Sequence, residues 1–183
     1  MTRIALVAYG TKNGSTAEIA DFIADVLRSH GLEAEARPAA GVRDVGPYDA
    51  IVLGGALYMG RWHRDARRFA RRHRHHLAGR LVWLFSSGPL DASASQRNIP
   101  PVRTAHRAER SLGAEEHVTF GGRLTEGARG RVARMILDEG RGGDFRDFDR
   151  IAAWAESIAA AVAAEPAHHR EEHISSVKEG RDA

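Results

Sequence analysis

Four short apolar runs, each closing on glycine or small polar residues and each leading into a stretch of helical period, constrain this chain more than any other feature. Ile4 to Ala8 ends at Tyr9 and Gly10. Ile51, Val52 and Leu53 close on Gly54 and Gly55, Leu81 to Phe85 runs into Ser86, Ser87, Gly88 and Pro89, and Val118 to Phe120 precedes Gly121 and Gly122. An apolar run without alternation is the pattern of a strand buried on both faces, as in a parallel sheet covered by helices. The segments between supply those helices. Ile19, Phe22, Ile23, Val26 and Leu27 recur at helical spacing after a start that Ser15 or Asn13 can cap, and Gly31 stops them. Glu33 to Arg37 alternates, ends before Pro38 and is expected as an edge strand. Arg64 to Leu77 has helix period and ends at Gly79, Arg103 to Leu112 predicts a short helix, and so does Ala128 to Leu137. Phe148 to Ala164 sets Ile151, Trp154, Ala155, Ile158 and Val162 on one stripe, whereas Asp91 to Pro101 is expected as a polar loop. The alternation predicts an α/β fold: a doubly wound, five-stranded parallel sheet with right-handed crossovers and helices on both faces.

A chain of 183 residues suits one domain, expected over residues 1–164, with residues 165–183 as a charged, solvated tail. The absence of cysteine excludes disulfides, thiolate metal sites, cysteine-ligated iron-sulfur clusters and cysteine nucleophiles. Any redox chemistry must therefore come from a bound organic cofactor or from a metal held by other ligands. The first residues have no cleavage segment of a signal peptide. The longest apolar candidate, Ile151 to Ala164, is broken by Glu156 and Ser157 and falls short of the about 18 residues of a spanning helix. A cytoplasmic protein, soluble or peripheral to the inner face of a membrane, is expected.

In doubly wound sheets ligands sit beyond the carboxyl ends of the strands, where strand order reverses. The loops Gly10 to Thr16, Gly54 to His63 and Ser86 to Asp91 should build that site. Thr11, Asn13, Ser15 and Thr16 crowd short polar side chains around Gly14 at a helix start, where free backbone NH groups and the helix dipole favour an anion. Neither GxxxxGK[ST] nor GxGxxG is present, so the fitting ligand is a monophosphate held by hydroxyls and amides, with Lys12 as one added cation. A plain capped helix start is the competing reading of the same residues. Leu57, Tyr58, Met59 and Trp62 gather in one glycine-flanked loop and could equally face a flat amphipathic ring or pack as an ordinary surface loop.

The run Tyr9-Gly10-Thr11-Lys12-Asn13-Gly14-Ser15-Thr16-Ala17-Glu18-Ile19-Ala20 resembles the phosphate loop of flavodoxins, whose cofactor is FMN. Tyr48 to His63, with Gly54-Gly55-Ala56-Leu57-Tyr58-Met59-Gly60-Arg61-Trp62-His63 at its end, resembles the second flavin loop of the menaquinone-dependent protoporphyrinogen oxidases, a flavodoxin-like branch that also follows this loop with a basic helix. The resemblance runs from Ile4 to about Val162 and is strongest over Ile4 to Leu84. It implies a flavodoxin-like fold and FMN bound by Thr11, Lys12, Asn13, Gly14, Ser15 and Thr16 at the phosphate. It further implies Leu57, Tyr58, Met59, Gly60 and Trp62 at the ring, with Tyr58 and Trp62 as stacking candidates, and Ser86, Ser87 and Gly88 at the pyrimidine edge. Gly60 would give the backbone freedom to rearrange beside the ring. The stretch from Gly122 to Phe148 departs from that branch in lacking a longer aromatic and basic segment.

Arg61 to Arg80 holds eight arginines and one aspartate, a local charge of +7 in a chain of net +3. Such a segment suits an anionic membrane surface or an acidic partner, or is simply a solvated face. Nucleic acid is not expected, because no binding motif accompanies it. Electron-carrier flavodoxins are usually acidic, so the basic face suits a porphyrinogen carboxylate or a lipid surface better. Arg61, His63 and Arg64 stand nearest the flavin loop as candidate contacts to substrate carboxylates. His73, His75, His76 and the tail histidines His168, His169 and His173 lack the HExxH spacing, and no metal site is assigned to them. The resemblance implies an FMN-dependent oxidoreductase passing electrons from a porphyrinogen, or another small-molecule reductant, to a quinone. An electron-transfer module serving a protein partner and a regulatory domain without cofactor are the alternatives. No essential acid or base is assigned.

Overall fold

The computed structural model describes residues 2–140 and 142–165. The first apolar run becomes strand β1 (Ile4–Gly10), followed by α1 (Ser15–Ser29), β2 (Glu33–Pro38), β3 (Ala50–Tyr58), a two-residue β4 (Arg61–Trp62) and α2 (Arg64–Leu77). The order continues with β5 (Leu81–Ser87), α3 (Ser93–Gln96), α4 (Arg103–Leu112), β6 (Glu116–Phe120), β7 (Arg123–Leu124), α5 (Arg131–Asp138), β8 (Gly143–Asp144) and α6 (Phe148–Ala164). Five strands pair in parallel in the order β2-β1-β3-β5-β6. Strand order reverses between β1 and β3, where Ala5 to Gly10 register against Ala50 to Gly55.

Both faces of the sheet are covered, which explains why the strands show no polar alternation. Ala5 and Val7 of β1 pack with Ile19, Ile23 and Leu27 of α1 and Ile151, Trp154, Ile158 and Val162 of α6. Leu6 and Ala8, their neighbours along the same strand, point the other way into Ile51, Leu53, Phe69, Leu77, Val82, Leu84 and Leu112. On the first face Phe120 and Trp154 meet edge to face at 5.5 Å, and Trp154 Nε1 donates to Glu116 at 2.7 Å. Asp147 caps α6 by accepting from the Arg150 amide at 3.0 Å.

Several local expectations need correction. Neither Ser15 nor Asn13 caps α1: the cap position is Gly14, in the left-handed region at φ 86°, with no side-chain cap bond. Ser15 Oγ instead accepts from the Arg123 amide at 3.0 Å, and Asn13 is engaged at both ends of its amide. The polar stretch after β5 contains the single turn α3. β3 extends to Tyr58, so Leu57 and Tyr58 sit in a strand rather than a loop, and they pair antiparallel with Trp62 and Arg61 of β4. Strands β7 and β8, which pair with each other outside the main sheet, left no apolar pattern in the sequence. The tail from residue 166 onward, with His168, His169 and His173, lies outside the described residues.

Candidate functional site

A cleft opens where the strand order reverses, at the carboxyl ends of the strands. The loop after β1 contributes Thr11, Lys12, Asn13, Ser15 and Thr16, and the end of β3 contributes Ala56, Leu57, Tyr58 and Met59. Ser87, Gly88 and Leu90 follow β5, and Gly122, Arg123, Leu124, Ala133 and Ile136 close the far side.

Within the first loop, Thr11 Oγ1 accepts from the Gly14 amide at 3.1 Å and so tightens the turn into α1. Thr16 lies in the first turn of α1, fully buried, and its Oγ1 has no hydrogen-bond partner among the described residues. A buried hydroxyl left unpaired costs about 1–3 kcal/mol, so its position facing a cleft at a helix N-terminus points to an acceptor supplied by a ligand. Asn13 ties this loop to its neighbours: Nδ2 donates to the Tyr58 hydroxyl at 3.1 Å, and Oδ1 accepts from the Arg129 amide at 2.9 Å. Lys12 Nζ stands 4.7 Å from the centre of the Tyr58 ring. The one cation of the loop is thus already held over the aromatic by a cation–π contact.

Strands β3 and β4 join through Met59 and Gly60, whose φ angles of 48° and 69° are both left-handed, as a type I′ hairpin requires. Met59 is 82% exposed. A methionine there carries a steric penalty and buries almost nothing, so Met59→Asn is expected to stabilise the protein by about 1 kcal/mol. Thermal melts check this, and a lower melting temperature would count against the turn.

The remaining sequence candidates separate sharply. Ser87 and Gly88 line the cleft, and Gly88 has no room for a side chain, because a Cβ there would stand 2.5 Å from Leu57 Cβ. Gly14 and Gly60 shape turns without lining the cleft. Trp62 is 1% exposed and lies in the α2/α4 core, with Nε1 donating to the Phe85 carbonyl at 3.3 Å. Its indole packs where a Cβ on Gly55 would be, 2.4 Å from Nε1. Stacking from Trp62 is therefore incompatible with this packing. Arg61 and Arg64 are exposed and stand outside the cleft lining, as does His63. His63 caps α2, Nδ1 accepting from the Asp65 amide at 3.3 Å, and burial holds its pKa below the ordinary 6.5.

Ser86 also faces away from the cleft. Its Oγ lies 2.8 Å from His117 Nε2 on β6, and both residues are buried. Burial pushes the His117 imidazole from 6.5 down to about 4. A group whose folded pKa is depressed binds its proton mainly in the unfolded chain, so its stability contribution is whole above 6.5 and declines as pH falls toward 4. That loss is expected to reach roughly 3 kcal/mol. His117→Asn should flatten this part of the stability profile; a slope unchanged in the variant would assign the effect to other groups, among them His63 and His73, which burial shifts in the same direction.

Sequence reasoning expected a helix over Ala128 to Leu137 but not the wall that residues 122–140 and 142–147 build beside the cleft. Phe145 donates its amide to the Gly122 carbonyl at 3.0 Å, and Arg146 grips Asp144 through Nε at 2.8 Å and Nη2 at 2.6 Å while Nη1 reaches Glu18 of α1 at 2.6 Å. The Arg146 guanidinium holds the Asp144 carboxyl below the usual carboxylate range. Arg123 pairs with the same Glu18. These contacts fasten the segment to the first turn of α1 and bring Ala133 and Ile136 of α5 to the cleft. The Gly121-Gly122 exit and the helical period of Ala128 to Leu137 are local signals in this stretch, and neither says that it returns to the cleft.

The Flavodoxin domain model matches residues 6–139. The chain belongs to the flavodoxin family. Solved relatives share the fold: flavodoxin 2 from Bacillus cereus aligns at a TM-score of 0.60 with 22% identity, covering 87% of this chain and 99% of that one. The Streptococcus pneumoniae TIGR4 flavodoxin aligns at 0.57 with 21% identity, over 86% and 99%. Among curated proteins, the protoporphyrinogen IX dehydrogenase [quinone] of Escherichia coli K12 is 27% identical over 70 residues, 37% of this chain and 39% of that protein. The chain thus matches about two fifths of the length of that relative. Membership of the family carries FMN binding with it, and the cradle fits: the unpartnered Thr16 hydroxyl, the Thr11-ordered turn and the free amides of α1 are donors for a phosphate. No helix among the described residues is long and apolar enough to cross a membrane.

Proposed function

We propose that this flavodoxin-family protein is an FMN-dependent oxidoreductase that oxidises protoporphyrinogen IX to protoporphyrin IX, a step of heme biosynthesis, with a quinone as acceptor. The buried, unpartnered Thr16 hydroxyl carries the cofactor half of this reading, and the 70-residue likeness to the E. coli dehydrogenase supports the substrate half. Bound FMN supplies the hydride and single-electron chemistry, which no side chain of this chain provides. Thr11, Asn13, Gly14, Ser15 and Thr16 hold the phosphate through hydroxyls and amides, with Lys12 free to leave the Tyr58 ring for it. Leu57, Tyr58 and Met59 present the apolar side of the cleft to the ring, Ile136 and Ala133 of α5 face them across it, and the amides near Ser87 and Gly88 meet the polar edge. Such amides favour negative charge on the reduced ring. The protein works in the cytoplasm, in peripheral contact with an anionic membrane that contains the quinone. A porphyrinogen or other small-molecule reductant approaches past the hairpin, and nucleic acid plays no part.

A second reading, an electron-transfer module serving a protein partner, is favoured by the exposed Met59 at the hairpin tip beside the cleft. One experiment separates the two. The purified protein is expected to be yellow, and after anaerobic reduction to be reoxidised by menaquinone; protoporphyrinogen is expected to reduce the oxidised form. Flavin absorbance without turnover of either small molecule would select the module.

A further inference from the structure

The two faces of the sheet differ in charge. Helices α2 and α4 together carry nine arginines against the two carboxylates Asp65 and Glu109, whereas α1 and α6 carry two arginines against five carboxylates. The carboxylates of the basic face are already engaged: Asp65 with Arg64 at 3.5 Å and His63 at 3.8 Å, and Glu109 with His106 at 3.0 Å. Between α2 and α4 runs a concave groove of about 360 Å³, flanked by Arg67, Arg71, Arg74 and Arg107, with the hydroxyls of Thr104 and Ser111 beside them. Ala70 and Ala108 form its floor, which leaves the groove open. Among the described residues none of these four guanidinium groups has a carboxylate within 4.0 Å. Arg74 Nε donates to His75 Nε2 at 3.0 Å, and the four like charges around one concavity raise its potential for an anion.

We propose that the α2/α4 groove binds an extended oligophosphate anion. Arg67, Arg71 and Arg74 follow one another at helical spacing along one side of α2 and span about 10 Å, a row that matches a chain of successive phosphates. Guanidinium forks donate to phosphate oxygens in pairs, and the Thr104 hydroxyl, which accepts from the Trp62 amide at 2.8 Å, keeps its proton for a further oxygen, while Ser111 donates to the Ala108 carbonyl at 3.2 Å. A folded protein partner fits less well, because interfaces rely on buried apolar anchors, and the exposed large apolar residues Met59, Met135 and Phe148 all lie outside this groove. A flat bilayer fits less well too, since it would meet the outward arginines of α2 and not those converging on a concavity. The site is separate from the flavin cleft, with which it shares no lining residue.

The test uses the full-length protein saturated with FMN, so that the phosphate loop is closed to the probe, titrated calorimetrically with tripolyphosphate. Saturable one-to-one binding that weakens with added salt is expected. Arg71→Ala with Arg107→Ala should weaken it at least tenfold, while Arg68→Ala with Arg110→Ala, which removes the same charge from the same helices outside the groove, should change it less than twofold. All four positions are exposed and alanine is a better helix former, so both double variants should fold. Equal loss in both variants would reduce the effect to a diffuse field and overturn the proposal. Adsorption to vesicles of phosphatidylglycerol and phosphatidylcholine without binding of tripolyphosphate would also overturn it, assigning the arginines to a lipid surface.

Discussion

Thr16→Val is expected to raise the melting temperature of the apoprotein while weakening FMN binding at least tenfold. The two effects have opposite signs because one atom causes both. Thr16 is fully buried and its hydroxyl has no partner, so in the absence of ligand the chain bears the desolvation of that oxygen without a compensating bond. Valine keeps the shape, replaces the hydroxyl by a methyl group and has a similar helix propensity, so the apoprotein should gain about 1 kcal/mol. For a protein of this length that is a rise of about 2–4 °C. With FMN present the balance reverses. A hydrogen bond to a charged phosphate contributes about 1.5–3 kcal/mol, which corresponds to an affinity loss of about 10- to 150-fold. Thermal melts of the apoprotein and fluorescence titration with FMN measure the two sides separately. Unchanged affinity would remove Thr16 from the phosphate site, whatever the melting temperature did.

Trp62→Ala is expected to cost the apoprotein about 3–5 kcal/mol. The indole is 1% exposed, donates to the Phe85 carbonyl and fills the space left by Gly55, so truncation opens a cavity against the centre of the sheet. A drop in melting temperature of roughly 6–20 °C should follow. Tyr58→Ala makes the contrasting case. Tyr58 is only partly buried, lines the cleft and touches Asn13 and Lys12, so its loss should lower FMN affinity and leave the apoprotein melt close to wild type. If Trp62→Ala instead melted like the wild type and lost only FMN, the tryptophan would belong to the flavin site and the packing described above would be wrong.

The difference between Tyr58 and Trp62 shows where sequence reasoning ran out. Both stand in one glycine-flanked stretch, both are aromatic, and both are plausible partners for a flat ring. Their fates diverge because the hairpin at Met59 and Gly60 reverses the chain, setting Tyr58 beside the loop after β1 and sending Trp62 into the α2/α4 core. The same applies to Ser86 and Ser87. One faces His117 and the other faces the cleft, as strand alternation requires, but nothing in the sequence says which face is which.

What the sequence determined by itself is the order of the main strands and helices, the edge position of β2, the parallel character of the sheet and which loops line the cleft. Each is a local property: uninterrupted apolar runs, glycine exits and helical periods that terminate where the chain says they do, α6 among them. What only the tertiary structure decided is which side each strand residue takes and how residues 122–140 and 142–147 return to the cleft. When both faces of a sheet are buried, apolar character no longer distinguishes them, and the side of a residue is set by the register of neighbouring strands. The returning segment is held by bonds such as Ser15 to Arg123 and Asn13 to Arg129, which join positions more than a hundred residues apart. Contacts of that span leave no periodic trace in the sequence, because they depend on where the completed sheet places the chain.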